Sequence, residues 1–162
     1  MRTCISSNRT RKNAAGSWTP YSRNIHASIW ATDISNTCLD KARRGIYSIN
    51  AKEHIPADIL KKCFQKGCNR WSGFMRVRPV IKDMVRFERF NLLDGKLPEQ
   101  VFDIVFCRNV MIYFDGRTKE RVVGNLASVL KPNGYFIIGG AESLNGLDHP
   151  FKYVEPSVYI KA

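Results

Sequence analysis

Apolar and polar positions follow three rhythms along the chain, and each predicts a different element. Phe102–Cys107 is a short run rich in β-branched and aromatic residues, which suits a strand buried on both faces, as in a parallel sheet. It meets two polar residues, Arg108 and Asn109, before apolar character resumes over Val110-Met111-Ile112-Tyr113-Phe114. Open α/β sheets bind ligands at polar groups on the carboxyl ends of buried parallel strands, although such a pair also serves simply to end a strand. From Arg117 to Leu130, the spacing of Val122, Leu126, Val129 and Leu130 predicts a helix with one apolar face. Lys131-Pro132-Asn133-Gly134 breaks it ahead of a further strand, Tyr135–Gly140. Phe74, Arg76 and Arg78 alternate with Met75 and Val77, the period of two that marks a strand, and Val85–Phe90 reads as a second one.

The first half of the chain is more uneven. Met1–Asn13 holds four basic residues, no acidic ones and few apolar ones, and reads as a loose tail. From Ile29 an apolar run ends in Asp33, with Ser35 placed to cap a helix that carries Leu39 and Ala42 and stops at Gly45. An acid at the end of a second strand accepts hydrogen bonds from ribose hydroxyls in nucleotide-binding α/β folds, and capping alone is the other role open to Asp33. Asp33 lies 17 residues after Gly16, against about 20 in the dinucleotide pattern, whose further glycines are missing here. Ile55–Phe64 predicts a short helix entered through Pro56. Phe151–Val154 and Val158–Lys161, joined by Glu155-Pro156-Ser157, predict a terminal hairpin.

Length and composition narrow the classes. A chain of 162 residues, 44% of them hydrophobic, holds one domain with a core. No apolar run nears the roughly 18 residues of a membrane span, and the N-terminus lacks a secretory apolar stretch. Cys4, Cys38, Cys63, Cys68 and Cys107 are scattered without a Cys-x-x-Cys pair, which points to reduced thiols of a cytoplasmic protein and to no metal site. His26, His54 and His149 have no ligand-like spacing. The net charge of +12 is concentrated: residues 41–91 carry thirteen basic and four acidic groups, whereas 92–162 carry eight of each. That middle favours an acidic partner, nucleic acid or a carboxylate-rich protein, or forms a basic solvated face.

The wording of several stretches carries a resemblance. Phe-Asp-Ile-Val-Phe-Cys-Arg-Asn-Val-Met-Ile-Tyr-Phe over 102–114, Ala-Thr-Asp-Ile-Ser over 31–35, Ala-Arg-Arg-Gly-Ile-Tyr over 42–47 and Asn91-Leu92 resemble the chemotaxis receptor methyltransferases, the CheR family. The resemblance implies an α/β class I S-adenosylmethionine-dependent methyltransferase (Rossmann-like) sheet over residues 29–162. It also implies a small inserted antiparallel β-subdomain at about 63–90. Residues 1–28 would form a degenerate remnant of the first motif, leaving the sheet incomplete at its N-terminus. Ala14-Ala15-Gly16-Ser17-Trp18-Thr19-Pro20-Tyr21-Ser22 resembles a shortened form of that motif, without its second glycine or its acid. By the resemblance the cofactor is S-adenosyl-L-methionine, held by Asp33, Asn91, Leu92, Arg108 and Asn109, with Tyr113 lining the methyl-transfer zone. The substrate would be glutamate on a helix of a methyl-accepting chemotaxis receptor, with no nucleic-acid partner. The damaged first motif implies a chain of little activity. Two alternatives stand beside this reading: a non-catalytic remnant binding a protein through its basic insert, and a nucleic-acid methyltransferase. The second has no Asn/Asp-Pro-Pro-Tyr or catalytic Pro-Cys motif to support it.

Overall fold

A computed structural model of the chain describes residues 2–7, 27–95 and 97–162. In chain order the elements are β1 (Arg2–Ser7), β2 (Ser28–Asp33), α1 (Asn36–Arg44), β3 (Ile46–Ser48), α2 (Ala57–Cys63), β4 (Phe64–Lys66) and β5 (Phe74–Val77). They continue with α3 (Pro79–Lys82), β6 (Val85–Arg89), β7 (Phe102–Arg108), α4 (Gly116–Ser128), β8 (Leu130–Ile138), β9 (Phe151–Glu155) and β10 (Val158–Lys161). Seven strands form the main sheet in the order β6-β2-β1-β7-β8-β10-β9, and β3-β5-β4 form a small antiparallel one. Strand β2 runs parallel to β6, and β7 runs parallel to β8. Because β1 is antiparallel to both β2 and β7, those four strands all point one way. Their carboxyl ends therefore gather on one rim, which positions everything described below.

The core lies between the sheet and α4. Val105 and Cys107 of β7 and Phe136 and Ile138 of β8 are buried against Val122, Val123, Leu126 and Ala127 of the helix. Those helical positions recur at the three- and four-residue spacing of one face, so the helix and its packing have one cause. Removing each of the valine and leucine side chains from water is worth about 1.5–3 kcal/mol. Asp115 starts α4 by accepting a hydrogen bond from the Thr118 N–H at 2.8 Å. Phe136 stacks on Phe151 with centroids 4.8 Å apart, fastening the terminal hairpin. Trp30 stacks on Phe102 at 6.0 Å and meets the edge of Phe90 at 5.4 Å. It thereby ties the β2–β6 half of the sheet to the β7 half beneath β1.

Two expectations are corrected. Met1–Asn13 was expected to be too polar for a sheet, yet Arg2–Ser7 fill the central position, pairing Thr3 with Thr32 on one side and with Cys107 on the other. Three of the four charges of that stretch, Arg9, Arg11 and Lys12, lie beyond the strand. Arg-Thr-Cys-Ile-Ser-Ser contains two β-branched residues and no acid, and neighbours on both flanks satisfy its backbone whichever way it runs. Val85–Arg89 was expected within the inserted subdomain but forms the edge of the main sheet, with Ala31 opposite Phe87. The small sheet begins earlier, at Ile46, and has Phe74–Val77 as its middle strand. Alternation marks a strand without naming its partner. The expected first-motif remnant, Ala14–Ser22, lies outside the described residues.

Candidate functional site

Asp33 ends β2 with only 6% of its surface exposed. One carboxylate oxygen accepts the Ser35 N–H at 2.8 Å, and the Ser35 hydroxyl in turn accepts the Cys38 N–H at 3.3 Å. Ser35 therefore opens α1 as its cap, and Asp33 fixes the capping residue. The Phe90 N–H donates to the Asp33 carbonyl at 3.2 Å, holding the ends of β2 and β6 side by side. Between them opens a cavity of about 200 Å³, walled by Phe90, Leu92, Leu93 and Phe114 with Asp33 and Thr32 at its floor. Its lining is chiefly apolar with one carboxylate, the chemistry that takes an aromatic ring and an attached sugar.

Asn91 spends its side chain locally. Its carbonyl oxygen accepts the Leu93 N–H at 3.1 Å, and its amide donates to Asp94 at 2.9 Å. It contributes to the cavity by shaping the backbone that presents Leu92. The structure thus brings Asp33, Asn91 and Leu92 together.

Arg108 and Asn109 are exposed at the end of β7, with Asn109 in the left-handed region at φ 59°, and neither lines that cavity. A single turn, Met111–Tyr113, follows. Met111 is buried, Ile112 and Tyr113 point outward, and Tyr113 is 76% exposed. Phe114, three residues after Met111, lines the cavity. A turn of about three residues places Met111 and Phe114 on the inner side, so the spacing was the available signal for Phe114.

Glu142 was missed altogether. Its carboxylate accepts four backbone hydrogen bonds: Asn109 at 2.9 Å and Gly139 at 2.6 Å on one oxygen, Val110 at 2.9 Å and Met111 at 2.7 Å on the other. A Cβ at Gly139 would press on the Asn109 side-chain oxygen, 2.7 Å from the Glu142 carboxylate and 2.9 Å from the Asn109 backbone nitrogen, so any side chain there displaces the cluster. Beneath this cluster burial pushes the Cys107 thiol up to about 12, with the Glu142 charge adding to the effect. An acid two residues beyond Gly139-Gly140, after a buried strand, was the only trace of this arrangement in the sequence.

An open sheet whose aligned strands end on a buried acid and a ring-sized apolar cavity is the arrangement of a class I methyltransferase domain. The chain belongs to the CheR methyltransferase family: the family model described as "CheR methyltransferase, SAM binding domain" matches residues 14–160. S-adenosylmethionine is the cofactor of that domain. The chain is 41% identical over 133 residues to the chemotaxis protein methyltransferase Cher2 of Pseudomonas putida, covering 81% of this chain and 47% of that one. It is 35% identical over 155 residues to chemotaxis protein methyltransferase 2 of Pseudomonas aeruginosa, covering 94% and 53%. A chemotaxis protein methyltransferase of Borreliella burgdorferi is 36% identical over 139 residues, with 85% and 48% covered. The chain spans about half the length of these curated relatives. Among the described residues, no helix is long and apolar enough to cross a membrane.

The residues present fit part of the cofactor. A cavity of about 200 Å³ is below the roughly 300–1,000 Å³ of complete small-molecule sites. It matches an adenosine moiety better than the whole molecule. Residues 14–26 fall within the family match and lie outside the described residues.

Proposed function

We propose that the chain is the cofactor-binding part of a cytoplasmic protein-glutamate O-methyltransferase acting on chemotaxis receptors. The observation that carries this reading is the join between Phe114 and Tyr113: one wall of the cofactor cavity is covalently next to an aromatic side chain that stands in solvent. An acceptor presented on a macromolecule can reach such a residue, whereas an enclosed site would admit only small molecules. Asp33 would hold the ribose hydroxyls, Phe90, Leu92 and Phe114 would cover the base, and Asn91 would set the backbone that meets its edge. Arg108 and Asn109 would complete the rim, and Tyr113 would line the zone where the acceptor lies.

The cofactor, when bound, supplies a methyl group on a positively charged sulfur. A glutamate carboxylate has an unperturbed pKa of about 4.3 and is already ionised at neutral pH. The chain therefore has no proton to remove. Its contribution is alignment and exclusion of water, which asks for aromatic walls and not for a general base. The direction of β1 supports low turnover by this chain. Ser7 pairs with Ser28, so β1 ends at the rim opposite Asp33. The carboxyl end of β1 is therefore not at the rim where β2 ends on Asp33.

A second reading, a protein-binding module without turnover, draws on the inserted subdomain. Lys52, Lys61, Lys66 and Arg78 ring a cleft of about 610 Å³ floored by Phe64 and Met75, and β4 is a free edge of the small sheet. An extended acidic segment could add to that edge. Incubation with labelled S-adenosylmethionine and receptor cytoplasmic domains, beside a calorimetric titration with S-adenosylhomocysteine, tests both readings. Binding with weak labelling supports the first. Absence of cofactor binding with retained receptor binding favours the second. Salt-dependent nucleic-acid binding tighter than about 10⁻⁶ M at physiological salt would displace both.

A further inference from the structure

We propose that Glu142 is the positioning residue of this site, an internal anion that sets the Arg108–Phe114 segment against the end of β8. The inference rests on the methyltransferase reading for its function, while the anchoring itself stands on geometry. Asn109 is left-handed, at φ 59°, and Val110 is right-handed, at φ −118° and ψ −47°. That alternation turns consecutive N–H groups toward one point and makes an anion-binding concavity. Asn109, Val110 and Met111 point their N–H groups there, and Gly139 adds a fourth from the neighbouring parallel strand. Each carboxylate oxygen takes two donors, so the charge is fully used.

The geometry separates anchoring from general stability. Val110 and Met111 are buried by the core in their own right, so losing the carboxylate leaves the segment attached to the sheet. It frees the backbone at Asn109, which holds the left-handed conformation that asparagine tolerates better than most residues. Tyr113 and Phe114 follow on bonds of 3.4 Å and 3.1 Å from their N–H groups to the carbonyls of Val110 and Met111. Disturbance at Glu142 is therefore relayed to the cavity wall and to the acceptor residue. Gly139 is the complementary half of the device, since any side chain there would collide with the carboxylate. Glutamine is a poor substitute despite its shape, because its amide would face two N–H donors. Aspartate, shorter by one methylene, cannot span both strands.

The test uses isotopically labelled chain, backbone amide exchange and S-adenosylhomocysteine titration on the parent, Glu142→Ala and Glu142→Gln. Glu142→Ala should speed exchange at Asn109, Val110, Met111 and Gly139 by about tenfold or more, the loss of at least one charge-assisted bond. Amides of the terminal hairpin should be unchanged. Cofactor affinity should fall about tenfold. Added formate, which can enter the vacated concavity, should restore both, and sodium chloride at equal ionic strength should restore neither. Unchanged exchange in the alanine variant would overturn the proposal, as would a folded variant whose exchange and affinity formate leaves unmoved. If Glu142→Ala fails to fold, Glu142→Gln decides: faster exchange at one pair of the four amides supports the anchor, and parental exchange at all four overturns it. A parent chain that binds no S-adenosylhomocysteine refutes the methyltransferase reading instead, while the exchange comparison still judges the anchor.

Discussion

Asp33 has two separable duties, and a pair of substitutions distinguishes them. In the folded chain one oxygen accepts the Ser35 N–H at 2.8 Å. A hydrogen bond to a charged group is worth about 1.5–3 kcal/mol, so Asp33→Ala should lose that much folding stability. Asp33→Asn keeps the side-chain shape and an oxygen for Ser35, and should lose about 1 kcal/mol or less of stability, the difference between a charged and a neutral acceptor. Cofactor affinity should respond differently. If the carboxylate holds a ribose hydroxyl, both variants forfeit a charge-assisted bond of about 1.5–3 kcal/mol, a weakening between about tenfold and about a hundredfold. Guanidinium denaturation measures the first quantity, and calorimetric titration with S-adenosylhomocysteine measures the second. Parental affinity in Asp33→Asn would refute the ribose role and leave Asp33 as the residue that fixes a helix cap.

Gly139→Ala should destabilise the chain by about 1–3 kcal/mol through overpacking against Asn109 and Glu142; Gly140→Ala, where a Cβ meets nothing within 4 Å, should change stability by less than about 0.5 kcal/mol, and urea melts of the two compare them. Alkylation at pH 8 followed by peptide mass analysis should label exposed Cys38 and Cys68 quickly and Cys107 only on unfolding. Because the folded chain keeps the Cys107 proton up to about 12 whereas its ordinary value is 9.0, that thiol's contribution to stability is intact below pH 9 and declines as the pH rises above it. Asp115 has the opposite sign: its bonds to Thr118 hold its carboxyl below the usual 3.8. Asp115→Ala should therefore be less stable than the parent at neutral pH, with the gap closing as the pH falls below that value, in thermal melts across an acid series.

What the sequence disclosed was local. Ser35 as a cap, Gly45 as a helix stop, the buried run of β7 and the apolar face of α4 all depend on neighbours within a few residues, and all were legible. Partners distant in sequence were not. Val85–Arg89 alternates as a strand should, but only the fold decides that it pairs with β2 and not with Phe74–Val77. Arg2–Ser7 was hidden by averaging over a longer polar stretch. Tyr113 and Phe114 are adjacent aromatics of similar character, and the pitch of one tight turn chooses which faces the cavity. Glu142 was out of reach for the plainest reason: three of its four N–H partners precede it by 31 to 33 residues.

The reversed central strand has a mechanical consequence. Among the described residues, β1 is the only ladder joining β6-β2 to β7-β8-β10-β9. Because β1 is gripped on both flanks, tension applied ahead of Arg2 along its axis is resisted in shear by two ladders, where an edge strand would oppose it with one. The load then passes straight to the strands ending in Asp33 and Arg108. A tether fixed at that end pulls on the cofactor rim itself, whereas one fixed beyond Lys161 draws on the terminal hairpin at the far side of the sheet.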